Sequence, residues 1–125
     1  MNENIEFTTL SDPCLYSRFY EEKERGAYVA YIRGKRCATE EGFFKEISAA
    51  FQFPYYFGEN WPALDECITD LDWLKIENRI FLSIDNFGAF FENNKEMQEL
   101  LLRHIEFYIS EWRNRNVYFK VLLSF

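Results

Sequence analysis

The chain has 125 residues, of which 48% are hydrophobic and 20% aromatic, a size and composition suited to one domain with a sizeable core. It carries 21 acidic and 14 basic residues, and the net charge of −7 disfavours direct binding of nucleic acid, which needs a concentrated basic surface. No apolar run approaches the roughly 18–20 residues of a membrane-spanning helix, and the start MNENIEF lacks the features of a secretory signal. We therefore expect a cytoplasmic protein.

The first part of the chain, residues 1–25, has the weakest pattern. It contains FTTL and CLYSRFY, each compatible with a short edge strand, separated by the turn signal SDP. We interpret residues 1–25 as an N-terminal extension that could add an edge strand to a sheet, and residues 26–125 as the main domain.

From residue 26 onward, hydrophobic periodicity predicts strands that alternate with helices. Runs of β-branched and aromatic residues indicate strands, whereas apolar residues at intervals of three and four indicate amphipathic helices. Such alternation implies an α/β domain in which a small, mainly parallel sheet of about three strands packs with helices. The predicted elements are a strand at 27–33, a helix that Thr39 caps and Pro54 ends, a helix that Asn60 caps, a strand at 79–85, a helix at 94–115 and a strand at 117–125.

The stretch from residue 53, FPYYFGENWPALDECITDLDWL, brings aromatic rings next to a helix with an acidic polar face. At about 100° per residue, this face centres on Glu66, and Asp65 lies at its boundary. A solvated helix face accounts for the acids alone, but three successive rings in a short loop are hard to bury and favour a binding surface. Within about 60° of Glu66 lie Glu59, Pro62, Thr69, Asp70 and, if the helical turn continues that far, Trp73. The opposite, apolar arc holds Trp61, Leu64, Cys67, Ile68 and Leu71.

No pattern of catalytic or metal-binding residues accompanies this stretch. Adjacent Asp65 and Glu66 project about 100° apart and do not converge like a glycosidase pair. His104, the single histidine, lies beside the apolar stripe of the last helix, where we expect it to be partly buried and hydrogen-bonded. The three cysteines are scattered without ligand spacing and are expected to be free thiols. We therefore expect no enzyme activity, no cofactor and no metal.

The segment YYFGENWPALDECITDLDWL resembles the hallmark segment of the barstar family, intracellular inhibitors of small basic ribonucleases. The order of the predicted elements is also similar, so the resemblance covers residues 27–125. It implies that the acidic helix and the preceding loop plug the active site of a cationic nuclease. Carboxylates would replace the phosphates of RNA, and neighbouring rings would seal the rim. The matching positions are Tyr56 and Phe57 in the aromatic loop, Gly58 and Asn60 in the turn, Glu66 as the central inhibitory acid and Glu111 as a supporting acid.

Three positions of this segment depart from the family pattern. Pro62 stands where the best-known inhibitor has another contacting acid, and Asp65 stands where it has a tryptophan. Glu66 is one methylene longer than the usual aspartate. These departures suggest a different toxin or a shifted set of contacts, and they leave the expected fold unchanged.

We therefore predict an immunity protein that occludes the active site of a basic protein toxin, which we predict to be a ribonuclease. Neither nucleic acid nor a membrane is expected as a direct partner, and a monomer is favoured. The alternative is an interaction module of the same fold that binds a non-nuclease partner or a second copy of itself. The predicted partner-binding residues are Tyr55, Tyr56, Phe57, Gly58, Glu59, Asn60, Pro62, Asp65, Glu66, Thr69, Asp70, Trp73 and Glu111.

Overall fold

A computed structural model describes residues 2–9 and 11–125 of the chain. The elements are β1 (Ile5–Thr8), α1 (Asp12–Glu24), β2 (Tyr28–Arg33), α2 (Glu40–Phe51), α3 (Trp61–Asp70), β3 (Arg79–Asp85), α4 (Lys95–Arg113) and β4 (Tyr118–Ser124), with 3₁₀ segments at Gly34–Arg36 and Phe87–Asn93. The four strands form one parallel sheet in the order β1-β4-β3-β2. The predicted α/β class is confirmed, with four strands instead of about three.

Three helices begin at side chains that satisfy the free amides of a first turn. Thr39, Asn60 and Asn94 each accept a hydrogen bond from the amide three residues further on, at 3.0, 2.8 and 3.2 Å. Such caps replace hydrogen bonds that the first turn of a helix cannot make internally. The predicted caps Thr39 and Asn60 are therefore confirmed.

The two faces of the sheet are covered by different helices because the chain crosses the sheet in both directions. From β2 to β3 to β4, each step moves to the neighbouring strand, whereas the connection from β1 to β2 returns across the whole sheet. Right-handed crossovers then place α1 on one face and the other three helices on the opposite face. On the α1 face, Leu15 packs with Phe81 and Leu122. The larger core on the other face includes Phe43, Ile47, Leu64, Ile68, Leu101 and Ile105.

The N-terminal segment forms a strand and a helix. The strand β1 overlaps FTTL at Phe7 and Thr8 and pairs with β4, Ile5 lying opposite Val121. Reading CLYSRFY as a strand is wrong, because residues 14–20 lie within α1. Leu15 is buried there, in a helix that packs on the sheet. Whether residues 1–25 form a separable extension stays a prediction.

The carboxylate of Glu6 connects β1 to the helix α1 and to the strand β4. Arg18 of α1 donates two hydrogen bonds to it, at 2.9 and 3.0 Å, and the Lys120 ammonium of β4 lies 3.2 Å away. The hydrogen bonds from Arg18 lower the pKa of Glu6 from 4.5 to about 2, and Lys120 adds to the effect. The edge strand is therefore fixed by an ion pair in addition to its backbone pairing.

Candidate protein-binding site

The acidic face of α3 is exposed because the opposite face is built into the core. Leu64, Cys67 and Ile68 are buried, as the helical arc predicts, whereas Glu66 and Asp70 are exposed. The helix ends at Asp70, and the next residue, Leu71, takes up a left-handed conformation with a φ of 51°. The result is a helix of ten residues that presents two carboxylates one turn apart.

The loop before α3 directs two of its three successive rings outward. Tyr55 is fully exposed and Tyr56 is 62% exposed. Phe57 turns inward, where its ring centroid lies 4.8 Å from that of Phe53 and 6.1 Å from that of Phe44. The expectation that all three rings are difficult to bury therefore fails at Phe57, because Phe53 and Phe44 provide an apolar surface for it.

The turn between the loop and the helix is held by the capping residue. Asn60 accepts from the amide of Ala63 and donates from Nδ2 to the carbonyl of Gly58, at 3.2 Å. Glu59, which lies between Gly58 and Asn60, has a φ of 51°. This left-handed conformation costs a residue with a side chain roughly 1–2 kcal/mol. The side chain of Glu59 is exposed. Asn60 thus fixes both the start of α3 and the course of the preceding turn.

A cleft of about 410 Å³ lies between this loop and the outer face of α3. Desolvation raises the pKa of the Tyr56 phenol, and the neighbouring Cys67 and carboxylates, including Asp70, add to the effect, so this hydroxyl is a neutral hydrogen-bond donor at physiological pH. The sequence did not predict two of the lining residues, Ala63 and Cys67. Ala63 could have been found, because it is three residues before Glu66, a spacing that places Ala63 and Glu66 on one face of the helix. The lining residues are Tyr56, Phe57, Ala63, Glu66, Cys67, Thr69 and Asp70.

Asp65 does not line this cleft, because its side chain turns towards α4. One oxygen, Oδ1, accepts hydrogen bonds from His104 Nδ1 at 2.8 Å and from the Tyr108 hydroxyl at 2.6 Å. Burial and the bond to Asp65 raise the pKa of the Tyr108 phenol well above its ordinary value. His104 is partly buried and hydrogen-bonded, as the sequence indicates, and its ring stacks on that of Trp61 at a centroid distance of 4.6 Å.

Two further predicted residues lie away from the cleft. The placement of Trp73 assumed that the helix continues, and α3 ends before it. Trp73 instead donates from Nε1 to the carbonyl of Phe51, at 2.9 Å, and its ring packs against that of Phe53. Glu111 lies in the last turns of α4, partly buried and next to Trp112. Five of the thirteen predicted residues therefore line the cleft, and the other eight do not. These eight are Tyr55, Gly58, Glu59, Asn60, Pro62, Asp65, Trp73 and Glu111.

Three further properties of the described residues concern metal binding, membrane spanning and the state of the thiols. Across residues 2–9 and 11–125, no group of three or more His, Cys, Asp or Glu residues is arranged to hold a metal ion. No helix in that part of the chain has both the length and the apolar character to cross a membrane. All three cysteines are free thiols; Cys14 is exposed, and Cys37 and Cys67 are buried.

The structure is a parallel α/β domain that exposes the acidic face of α3 beside an aromatic loop. The family model described as Barstar (barnase inhibitor) matches residues 27–124, and the chain belongs to this family. No curated protein matches the chain. Proteins of this family are inhibitors and not enzymes, and membership suggests ribonuclease inhibition. The match begins just before β2, so β1 and α1 lie outside it.

Proposed function

We propose that the chain is an immunity protein that binds a basic ribonuclease and occludes its active site with α3 and the loop before it. The observation that carries this proposal is the cleft in which Glu66 and Asp70 stand next to the exposed ring of Tyr56. In a chain of the barstar family, that is the surface with the charge and shape to meet a cationic active site.

The mechanism is charge complementarity on a pre-formed surface. A ribonuclease active site holds Arg, Lys or His⁺ groups that stabilise phosphate, and carboxylates of a rigid helix can take the place of that phosphate. Glu66 and Asp70 supply the charges, and the net charge of −7 accelerates the encounter with a basic partner. Tyr56 supplies an aromatic surface at the rim, where a ring can exclude water from the charge pairs.

The preferred ribonuclease differs from the one that the best-known inhibitor binds. Pro62 is exposed on the first turn of α3 and offers no charge at the position where the best-known inhibitor has a contacting acid. Asp65 is bound to α4 instead of presenting a ring. With these two contacts changed, Glu66 and Asp70 carry a larger part of the recognition. We further propose that inhibitor and toxin meet in the cytoplasm, where the three thiols stay reduced.

The test is a titration of purified protein against a panel of small basic ribonucleases that includes barnase, with RNA cleavage as the readout. We expect at least one enzyme to be inhibited at a ratio of one to one. Glu66→Ala should weaken that inhibition, whereas Glu99→Ala, which removes an exposed acid of α4, should not. If no ribonuclease is inhibited and the protein instead self-associates or binds a non-nuclease protein, the proposal is wrong and the interaction-module alternative is favoured.

A further inference from the structure

Three polar side chains of α4 point at α3 from one face of their helix. His104, Tyr108 and Trp112 follow one another at intervals of four residues, a spacing that stacks side chains along one side of a helix. We call these three residues the donor row. Tyr108 and Trp112 are buried, yet the polar atoms of all three residues reach α3.

The donor row contacts α3 at its middle and at its end. His104 and Tyr108 both donate to Asp65 Oδ1, at 2.8 and 2.6 Å. Trp112 donates from Nε1 to the carbonyl of Ile68, at 2.8 Å, in a buried hydrogen bond. Carbonyls in the last turn of a helix lack partners within the helix, so this bond also satisfies an otherwise free group.

The first turn of α3 is held through the same histidine. The ring of Trp61, the first residue of the helix, stacks on His104 with an interplanar angle of 27°. Its Nε1 donates to Glu40 of α2, at 3.0 Å. Side-chain contacts therefore fix α3 at its beginning, middle and end.

We infer that Asp65 is a positioning residue, which acts on partner binding through His104 and Tyr108 and not by touching the partner. This inference rests on the proposed function of α3. A helix of ten residues is about 15 Å long; its apolar face packs in the core, and the donor row adds directional hydrogen bonds to that packing. Binding groups must stay within about 0.5 Å of their productive positions, so the donor row determines where Glu66 and Asp70 stand.

A conservative pair of substitutions at position 65 separates positioning from contact. Asp65→Asn keeps an oxygen that accepts from Tyr108 but removes the charge, whereas Asp65→Ala removes both. We expect Asp65→Ala to speed dissociation of the inhibited ribonuclease about three- to tenfold, and Asp65→Asn to restore most of the native rate. Equal losses in the two variants would show that the charge itself contacts the partner and would overturn the inference.

A mutant cycle gives an independent answer. In a His104→Ala, Tyr108→Phe background, Asp65→Ala should have almost no further effect on dissociation, because its partners are already absent. Glu66→Ala should retain its full effect in that background, since a direct contact does not depend on the donor row. Tyr20→Phe, at an exposed position of α1, serves as the control for loss of a phenol. A full effect of Asp65→Ala in both backgrounds contradicts positioning.

Hydrogen exchange in the free protein tests the inference without a ribonuclease. Tyr108→Phe and Asp65→Ala should increase amide exchange in α3 several-fold while leaving the β3 and β4 amides unchanged. Unchanged exchange in α3 would overturn the positioning role even if inhibition is intact. Conversely, altered exchange together with failure to inhibit any ribonuclease would count against the proposed function and leave the positioning role standing.

Discussion

At the scale of the residue, Glu66 is the side chain on which the proposed inhibition most depends. Its substitution by alanine should leave cationic groups of the ribonuclease desolvated and unpaired. Truncating one member of such a pair costs about 2–5 kcal/mol of binding free energy, mainly through faster dissociation. Charge pairs of a barstar complex are among the cases on which this range rests. Folding stability should change little, because Glu66 is exposed. The association and dissociation rates of the variant can be measured on immobilised ribonuclease. Dissociation at the native rate would show that Glu66 is not part of the binding surface.

Asp70 should behave differently, because it stands one turn beyond Glu66, at the C-terminal end of α3, where we place the rim of the proposed interface. Charges at a rim act mostly by long-range attraction during the encounter. Asp70→Ala should therefore slow association, and the difference from the native rate should shrink as salt rises, because screening acts over about 8–10 Å at physiological ionic strength. Association rates at low and high salt decide this. A salt-independent loss through faster dissociation would instead make Asp70 a buried contact.

The three cysteines provide their own control for the burial of α3. Burial raises the pKa of the Cys67 thiol, and the nearby Asp70 and Glu66 carboxylates raise it further. Burial likewise raises the pKa of Cys37 to about 12. We expect a thiol reagent to label exposed Cys14 quickly in the native protein and the other two slowly. Mass spectrometry of peptides gives the labelling rate of each cysteine. Labelling of Cys67 as fast as that of Cys14 would contradict the assigned face of α3.

At the scale of the element, the cap of α3 links stability to the shape of the site. Asn60→Ala should lower the free energy of unfolding by about 1 kcal/mol, because the amide of Ala63 loses its partner. It should also weaken inhibition, since Asn60 holds the turn at Gly58 as well. Asn94→Ala removes the corresponding cap of α4 and should lower stability similarly without the same loss of inhibition. Urea denaturation measures the stability of both variants, and ribonuclease assays measure their inhibition. If Asn60→Ala inhibits as well as Asn94→Ala, the turn has no role in inhibition.

The elements that could be predicted are those whose local pattern agrees with their tertiary surroundings. The strands β2, β3 and β4 and the helices α2 and α4 follow their hydrophobic periodicity, and Thr39 and Asn60 follow capping chemistry. The helix α1 was missed because its exposed face also carries rings, including Tyr16 and Tyr20, which obscures an amphipathic pattern. No local rule shows that β1 pairs with the far end of the chain.

Within the candidate site, the sequence indicates which residues lie on the outer arc of α3 but not what each side chain contacts. Asp65 lies on the boundary of that arc, and its partner His104 is 39 residues away in the chain. Trp73 was misplaced because the helix stops at a left-handed leucine, a conformation for which leucine gives no signal. Contacts between distant segments therefore account for most of what the sequence left open.

At the scale of the whole molecule, Glu6 should make stability depend on acid pH. Because the folded-state pKa is about 2 and the ordinary value is 4.5, its contribution is fully present above pH 4.5 and is lost as the pH falls towards 2. Glu6→Gln should therefore lower stability near neutral pH, and its difference from the native chain should shrink across that window. Urea denaturation over this pH range tests the expectation, with exposed Glu99→Gln as control. A difference that stays constant down to about pH 2 would contradict it.

The order of the strands also has a consequence for folding during synthesis on the ribosome. The strand β4 lies in the interior of the sheet, between β1 and β3, yet it is translated after both of these neighbours. Asn4 donates to the carbonyl of Phe119 across 115 residues, a contact that cannot form until Phe119 has emerged. We expect nascent chains that end before β4 to lack a stable sheet, since β1 has no neighbour and β3 has only one. The sheet therefore cannot be completed until β4 has been synthesised.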